Sequence, residues 1–476
     1  MNYQVTIGLE THIQLKTNSK IFCACANHFG DEPNTNVCPV CLGYPGVMPV
    51  LNEEAVQKTI KAGLMIGSRI GEFCKFDRKS YFYPDMPKNY QITQYDRPFC
   101  IGGQVEIEIE GRKKIIRVNR IHLEEDVAKN THATASSEVD FNRAGTPLME
   151  VVSEPDMETP EEALAYLQAL KQIMVYGGIS ECNLEEGNMR CDVNISLRPE
   201  GQEKLGVKAE IKNMNTFKGV FQALQAETRR QESILTSGGS VRQETLRFDP
   251  DACVTIPMRS KEYAHDYRYF PEPDLMPVVF EPDVIERWRS ELPELPQQRR
   301  ERFVSQYELP EYDAAVLTAD KHLADYYERA AAGTKNFKAV SNWVMTEVMR
   351  VLSEKGCTIE QFPIGADALA ELVALADSQV INSNSAKEVF ALLLEQPGAS
   401  PKALVEKRGM AQVSDSSAID VFVDQVIAEQ AKSVEDFRGG KQAALQFLVG
   451  QIMKLSRGKA NPQMAAQALR DKIGSI

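Results

Sequence analysis

The sequence lacks long apolar runs, and its first residues lack the features of a secretory signal. No stretch of 18 or more apolar residues occurs among the 476 residues, so no membrane-spanning helix is expected. The opening MNYQVTIGLETHIQL alternates like a strand and lacks the basic, apolar and small-residue order of a signal peptide. We therefore expect a cytoplasmic protein with no membrane partner. In that reducing compartment, clustered cysteines favour metal binding over disulfide bonds.

Common nucleotide and metalloprotease motifs are also missing. GQEKLGVK lacks the adjacent Gly-Lys pair of a phosphate loop, and the chain contains neither GxGxxG nor HExxH. TSGGS at 236–240 is similar to the glycine–serine signature of amidases, but it follows a predicted helix and is interpreted as a helix stop. A nucleotide site in this chain therefore needs a less common fold.

Basic residues are outnumbered by acidic ones overall, but they are in excess in the last part of the chain. The net charge is −13, whereas residues 401–476 hold 11 Lys and Arg against 8 Asp and Glu, a local charge of +3 that leaves −16 for the rest. The last forty residues hold seven basic residues and one acidic residue. Such a tail can bind phosphates, although a solvated helical face explains the same pattern.

Length and pattern predict an α+β chain of three domains. A chain of this length exceeds what one hydrophobic core usually serves. Residues 1–292 read as short strands, turns and a few helices, and QVEIEIEGRKKIIRV predicts a hairpin that turns near Gly111. Residues 293–402 and 403–476 carry apolar residues at helical spacing, which predicts a helical domain and a small helical tail.

Two helices of the first domain have clear start and stop signals. TPEEALAYLQALKQIMVYGG places Thr159 as N-cap, Pro160 at the first helical position and Glu162 in a capping box, and two glycines end it. A second helix is predicted from about Phe217 to Leu235.

Four cysteines lie within nineteen residues, in a CxC…CxxC array that we call the cysteine set: Cys23, Cys25, Cys38 and Cys41. Two short knuckles joined by a loop can supply the four corners of a zinc tetrahedron. Four protein ligands leave no open position, so such a zinc is structural. The alternative is four ordinary buried thiols.

Several predicted strands have one apolar and one charged face. In VTIGLETHIQL, the apolar face alternates with Glu10 and His12, and RCDVNISLRP and VKAEIKN repeat this pattern. Together they indicate a sheet that lines a polar cleft, although a sheet face in water gives the same alternation. Further acids and one histidine follow on other segments: His122, Glu124, Glu125, Asp126, Glu150, Glu185 and Glu186. Carboxylates with one or two histidines are typical of Mg²⁺ or Mn²⁺ sites.

With these residues in view, the chain resembles the B-subunit (GatB/GatE) family of tRNA-dependent amidotransferases from end to end. The resemblance rests on GLETHIQL, YPGVMPVLN, KFDRKSYFYPDMPKNYQITQYD, HLEEDVAK, DFNRAGTPLMEVVSEPD, EEGNMRCDVNISLRP, KAEIKNMN, DYRYFPEPDL and FLVGQIMKLSRGKANP. It implies a cradle-like catalytic body with a mixed or antiparallel sheet, an all-α domain and a YqeY-like tail.

The resemblance also implies an activity, a C–N ligase with glutamine as amido donor. ATP phosphorylates the side-chain carboxylate of Glu-tRNA(Gln) or Asp-tRNA(Asn), and ammonia then displaces phosphate. The ammonia comes from an amidase A subunit, and a small C subunit completes a heterotrimer. The absence of a glutaminase motif in this chain fits an assembly in which another subunit produces the ammonia.

The resemblance assigns roles to individual residues. The main catalytic and Mg²⁺ ligands are Glu10, His12, Glu125 and Glu150, with Glu124, Glu185 and Asp192 as further Mg²⁺ ligands. Lys79, Lys88, Lys208 and Lys212 are candidates for binding phosphate or lining the ammonia route, and Lys454, Arg457 and Lys459 for binding tRNA. His12 must be neutral to ligate a metal, so acidification should lower activity.

Two other classes of function compete with this one. A non-catalytic tRNA-binding scaffold would leave all chemistry to its partners. A metal-dependent hydrolase would release phosphate without ammonia or misacylated tRNA.

Overall fold

A ten-stranded sheet organises the first part of the chain. The protein is described by a computed structural model, which covers residues 2–132, 136–260, 264–412, 416–456 and 460–474. The strands within these ranges are β1 (Tyr3–Gln14), β2 (Arg69–Ile70), β3 (Asp77–Ser80), β4 (Tyr90–Thr93), β5 (Cys100–Ile101), β6 (Gln104–Ile109), β7 (Arg112–Glu125), β8 (Lys129–His132), β9 (Ser137–Asp140), β10 (Pro147–Ser153), β11 (Met189–Pro199), β12 (Ala209–Met214), β13 (Glu244–Asp249), β14 (Val254–Ser260) and β15 (Phe270–Pro271).

Helices pack on this sheet and make up the second half of the chain. Those in the described ranges are α1 (Glu53–Met65), α2 (Pro160–Tyr176), α3 (Phe217–Thr236), α4 (Pro282–Ser290), α5 (Pro296–Gln306), α6 (Glu311–Thr318), α7 (Lys321–Ala332), α8 (Phe337–Trp343), α9 (Met349–Lys355), α10 (Ala366–Asp377), α11 (Ser383–Glu395), α12 (Pro401–Arg408), α13 (Ser416–Glu429), α14 (Ala431–Arg438), α15 (Gln442–Leu455) and α16 (Pro462–Gly474). A π-helical turn, Val344–Val348, joins α8 to α9. The α+β prediction is confirmed. No helix among the described residues is long and apolar enough to cross a membrane.

The main sheet runs in the order β14-β13-β12-β11-β1-β10-β7-β5-β2, and β6 pairs with β7. Its neighbours are antiparallel except β12 and β13, which are parallel. Strands β15, β3 and β4 form a small second sheet, and β8 pairs with β9. Antiparallel sheets can keep one face polar while the other packs on a core.

Alternation along the central strands separates the two faces. On β1, Ile7, Leu9 and Ile13 are almost completely buried, and on β11 Val193 and Ile195 share that face. Helices α1, α2 and α3 contribute apolar side chains to the same core. The intervening polar residues of β1 and β11 are therefore left for the other face.

Local sequence signals predicted the positions of helices α2 and α3 well. Helix α3 extends one residue beyond the predicted end. In α2, the Thr159 hydroxyl accepts the Glu162 N–H at 3.1 Å, but the Glu162 carboxylate accepts from the Glu158 N–H instead of completing the predicted capping box. The predicted hairpin is β6–β7, whose turn residues Glu110 and Gly111 both have positive φ, as a two-residue turn of type I′ requires.

The chain divides into two units, Met1–Pro296 and Gln297–Ile476. The described residues of the second unit form two separate apolar clusters, one over 303–405 and one over 419–473. Helix α12 begins at Pro401 and buries Leu404 and Val405 in the first cluster. We therefore propose that the tail domain begins after α12 rather than at 403.

Candidate active site and metal centres

A straight row of polar side chains crosses four adjacent strands of the main sheet. Arg190 on β11 lies opposite His12 on β1, His12 lies opposite Glu150 on β10, and Glu150 lies opposite His122 on β7. Residues directly opposite in antiparallel strands project to the same face, so these four side chains share the polar face. Glu124 follows His122 by two residues and projects to that face as well.

Two histidines and two glutamates of this region converge into one set, which we call the histidine–glutamate set: His12, His122, Glu124 and Glu150. The Nε2 atom of His12 lies 3.4 Å from Glu150 Oε2 and 3.9 Å from Glu124 Oε1. The Nε2 atom of His122 lies 3.3 Å from Glu150 Oε2 and 3.5 Å from Glu124 Oε2. Both imidazoles therefore face the same two carboxylates.

The charges in this set are strongly coupled. Burial by itself lowers the pKa of His12 and of His122, but the Glu150 carboxylate and Glu124 outweigh it and raise each pKa to about 9. Burial favours a higher pKa for Glu150, yet the charges of His122 and His12 hold that pKa well below its usual range. In the absence of a metal ion, the two imidazoles are therefore protonated, and their positive charges balance the two carboxylates of the set.

A second group of acids, the oxygen set, lies on neighbouring strands: Glu10, Asp192 and Glu210. Glu10 on β1 is opposite Asp192 on β11, and Glu210 on β12 is opposite Asn194. The Asn194 amide donates to Glu10 Oε1 at 2.8 Å. Lys212 Nζ lies 2.8 Å from Asp192 Oδ2 and 3.2 Å from Glu210 Oε1. Burial, followed by the charge of Glu150, raises the pKa of Glu10, which couples the two sets.

Both sets fit a hard divalent cation. The donor atoms of His12, Glu124 and Glu150 lie within 4.8 Å of one another, and so do those of the oxygen set. Carboxylate oxygens with one or two imidazoles suit Mg²⁺ or Mn²⁺. Two buried atoms at these sets, His122 Nδ1 and Asn194 Oδ1, have no hydrogen-bond partner among the described residues. A buried polar atom without a partner needs an explanation, and a bound water or ion is one of several.

The cysteine set has the dimensions of a tetrahedral zinc site. All four Sγ atoms lie within 4.8 Å of one another, and those of Cys38 and Cys41 are 3.9 Å apart. Four Zn–S bonds of about 2.3 Å require sulfur separations of about 3.8 Å. A hydrogen bond from Cys23 lowers the pKa of Cys41 to about 4, with a smaller contribution from the Lys20 ammonium. One thiolate thus forms readily in the set.

Comparison with known proteins identifies the family of this chain. The GatB/GatE catalytic domain matches residues 5–286, and a second family unit, described as GatB domain, matches residues 325–473. The chain belongs to the GatB/GatE family. The resemblance seen in the sequence is therefore confirmed, and the family is one of ligase-type amidotransferases.

Individual relatives in the GatB/GatE family match along their whole length. A protein of Carboxydothermus hydrogenoformans is 52% identical over 479 residues, covering 100% of this chain and 99% of the relative. A protein of Caldanaerobacter subterraneus is 51% identical and one of Geobacter sp. strain M21 is 50% identical, each covering 99% of this chain and 100% of the relative. All three are named as the B subunit of an aspartyl/glutamyl-tRNA(Asn/Gln) amidotransferase.

The structure separates two predicted ligands that are adjacent in the GatB/GatE sequence, Glu124 and Glu125. Alternation along β7 directs Glu125 away from the face that carries Glu124. The Glu125 carboxylate instead accepts from Lys88 Nζ and, at 2.8 Å, from the Ile92 N–H. Glu124 is the one that joins His12 and Glu150, so we place it ahead of Glu125 among the metal ligands.

Other predicted residues are dispersed. Glu185 lies in the turn before β11, where its N–H donates to Asn183 at 3.1 Å. Lys79 Nζ lies 4.8 Å from the centre of the Tyr267 ring, and Lys208 is exposed just before β12. Lys88 and Lys212 are each paired with acids. Lys454 is exposed in the last turn of α15, whereas Arg457 and Lys459 lie outside the described residues.

Sequence reasoning listed His122 beside the acids of a possible Mg²⁺ or Mn²⁺ site but did not name it as a ligand, and it gave no role to Asn194 or Glu210. All three were visible as polar residues on alternating strands. Alternation shows which face a residue occupies, but only the register between strands shows which residues on that face meet. The pairing of Glu150 with His122 depends on β10 and β7 being neighbours, which no local pattern in the sequence reveals.

Proposed function

We propose that this chain activates and amidates a side-chain carboxylate carried on tRNA, with Glu-tRNA(Gln) and Asp-tRNA(Asn) as the substrate class. The proposal is carried by one observation, the two neighbouring acidic sets on the polar face of the sheet in a GatB/GatE chain. A phosphoryl-transfer site consists mainly of groups that position the reactants and balance phosphate charge. The two sets, with Lys212 and Arg190 on the same face, offer groups of that kind.

The reaction has two steps. A carboxylate oxygen of the aminoacyl side chain attacks the γ-phosphorus of ATP, and the bond to ADP breaks. Ammonia then attacks the carbonyl carbon of the acyl phosphate, inorganic phosphate leaves, and the nitrogen loses a proton to give the amide. The first step is needed because a carboxylate oxygen is a poor leaving group, whereas phosphate is a good one.

The residues have distinct tasks in this proposal. His12, Glu124 and Glu150, with His122, would hold one Mg²⁺, and Glu10, Asp192 and Glu210 would hold a second. When bound, such ions neutralise phosphate charge. Lys212 contributes a fixed positive charge at the oxygen set, and Asn194 orients Glu10 through their hydrogen bond. Lys79, Lys88 and Lys208 remain candidates for binding phosphate or lining the ammonia route.

The remaining parts of the proposal concern partners and zinc. An amidase A subunit supplies ammonia from glutamine, a small C subunit completes the heterotrimer, and the tail binds tRNA through Lys454, Arg457 and Lys459. The relatives are named as one subunit of an amidotransferase, which supports an assembly of several subunits. The cysteine set would hold a structural zinc, and we propose a cytoplasmic location.

Reconstitution tests this function. Purified A and C subunits are mixed with this chain, ATP, glutamine and tRNA(Gln) carrying labelled glutamate, or tRNA(Asn) carrying labelled aspartate. We expect the label to move to glutamine or asparagine. If no label moves with either tRNA, the proposal is wrong.

The same assay separates the two competing functions. A scaffold subunit would still support amide formation after Glu124→Gln, which removes a central carboxylate. A hydrolase would release phosphate from ATP equally fast with uncharged tRNA. We expect neither result.

A further inference from the structure

A completely buried lysine lies beside the cysteine set. Lys20 has no exposed surface. Its N–H donates to the Cys25 carbonyl at 3.0 Å, and its ammonium donates to the Phe141 carbonyl at 3.1 Å. Among the described residues, Lys20 forms no ion pair with a carboxylate. A buried charge without a counter-charge is costly, so the surroundings of Lys20 need an explanation.

The nearest anionic chemistry is that of the cysteines. A Cβ atom placed on Gly145 would lie 3.6 Å from Lys20 Cδ and 3.7 Å from Cys41 Cβ. The lysine stem and Cys41 therefore lie side by side over this glycine. Its φ of +81° favours glycine at 145, whereas the contacts themselves would leave room for a Cβ atom.

The charge state of the cysteines decides whether Lys20 is balanced. Without zinc, the set carries at most one negative charge, that of the Cys41 thiolate. Four thiolates around one divalent zinc carry a net double negative charge, which a buried cation stabilises. The buried Lys20 ammonium and a zinc–tetrathiolate centre would thus compensate each other's charge.

We propose that Lys20 is the built-in counter-charge of a zinc–tetrathiolate centre in the cysteine set, and that it ties this centre to the turn at 141–146. The inference rests on the zinc assignment made under Proposed function. Further bonds join the same segments, since the Phe141 N–H donates to Asn34 Oδ1 at 2.8 Å and the Asn36 N–H donates to Asn142 Oδ1 at 2.8 Å. The turn leads directly into β10, which carries Glu150.

The test compares Lys20→Met with Lys16→Met in the full chain. Methionine keeps the length of the stem but removes the charge. Lys16 is a matched control because it lies four residues away, is mostly exposed and pairs with Glu181. Zinc affinity is measured by competition with a chromogenic chelator, and melting temperature is measured in zinc-loaded and zinc-free protein.

We expect Lys20→Met to weaken zinc binding by about 10- to 100-fold, as loss of a group that supports metal ligands does. We also expect it to lower the melting temperature of the loaded protein by more than that of the zinc-free protein, because the zinc-free cysteines carry at most one negative charge for Lys20 to balance. Lys16→Met should change neither property. A purely structural role for Lys20 predicts the same loss of melting temperature in both states, and that result would overturn the proposal.

A measurement on the wild-type chain covers the case in which Lys20→Met does not fold. Reductive methylation of Lys20, followed by mass spectrometry, should be slow in zinc-loaded protein and faster after zinc removal. Equal rates would overturn the role of Lys20. Wild-type protein that takes up no zinc would instead overturn the metal assignment itself, and the amidation assay stands independently of both.

Discussion

At the scale of single residues, two adjacent glutamates of β7 have different tasks. Glu124 faces His12 and His122, whereas Glu125 forms a largely buried ion pair with Lys88. Removing a metal ligand weakens cation binding, while breaking a buried pair mainly destabilises the fold. The two substitutions Glu124→Gln and Glu125→Gln, identical in chemistry, therefore separate the two roles.

We expect Glu124→Gln to lower Mn²⁺ affinity by at least about 100-fold, beyond the usual effect of a group that only positions a ligand. Glu125→Gln should cost about 3–5 kcal/mol of unfolding free energy and retain most of the affinity. Calorimetric titration and denaturant unfolding measure these quantities. Loss of Mn²⁺ binding in Glu125→Gln with retention in Glu124→Gln would contradict the assignment.

The raised pKa of His12 and of His122, about 9 each, predicts a pH dependence. In the absence of divalent cations, their contribution to stability is complete below the unfolded-state pKa of about 6.5 and is lost as pH rises through about 9. A divalent cation competes with the protons of His12 and His122, so the affinity for Mn²⁺ should rise by at least about tenfold per pH unit between 7 and 9. Mn²⁺ titrations at several pH values check this, and an affinity independent of pH would contradict it.

At the scale of elements, a glycine after the second cysteine knuckle places the cysteine loop against Lys88. A Cβ atom on Gly43 would lie 2.5 Å from Lys88 Cγ and 3.1 Å from its Cα. Gly46, in the same loop, also has a positive φ but has nothing within 4 Å of such an atom. The two glycines thus share a left-handed backbone, which strains any other residue, and they differ in the contact.

We expect Gly46→Ala to cost about 1–2 kcal/mol of unfolding free energy, the penalty of a left-handed backbone. Gly43→Ala should cost more, because the Lys88 backbone must also move, and it should disturb the Lys88–Glu125 pair. Denaturant unfolding of both variants measures the difference. Equal losses would show that the contact with Lys88 has no energetic weight.

Local sequence signals predicted elements well, and the site less well. Thr159 and Pro160 marked the start of α2, and alternation marked the polar face of β1, because both signals act over a few residues. The choice between Glu124 and Glu125, and the place of Glu210, depend on strand order. Long-range pairing fixes that order, so it has no short-range signature.

At the scale of the whole molecule, the tail carries the net positive charge that the acidic remainder of the chain lacks. Contacts with phosphate release counterions, so tRNA affinity should fall steeply with salt. Lys454→Gln should reduce the slope of log affinity against log salt by about one, whereas Lys355→Gln, an exposed lysine at the end of α9, should not. Filter binding at several salt concentrations measures both slopes. Equal slopes for the two variants would show that the tail does not bind tRNA through Lys454.

We propose that this chain activates the carboxylate by phosphorylation. Misacylated tRNA whose side-chain carboxylate carries ¹⁸O tests this in the reconstituted heterotrimer with ATP and glutamine. Attack of ammonia on an acyl phosphate breaks the bond between carbon and the transferred oxygen. We predict one ¹⁸O atom in inorganic phosphate for every amide formed, read by mass spectrometry. Amide formation with phosphate free of ¹⁸O would contradict the account.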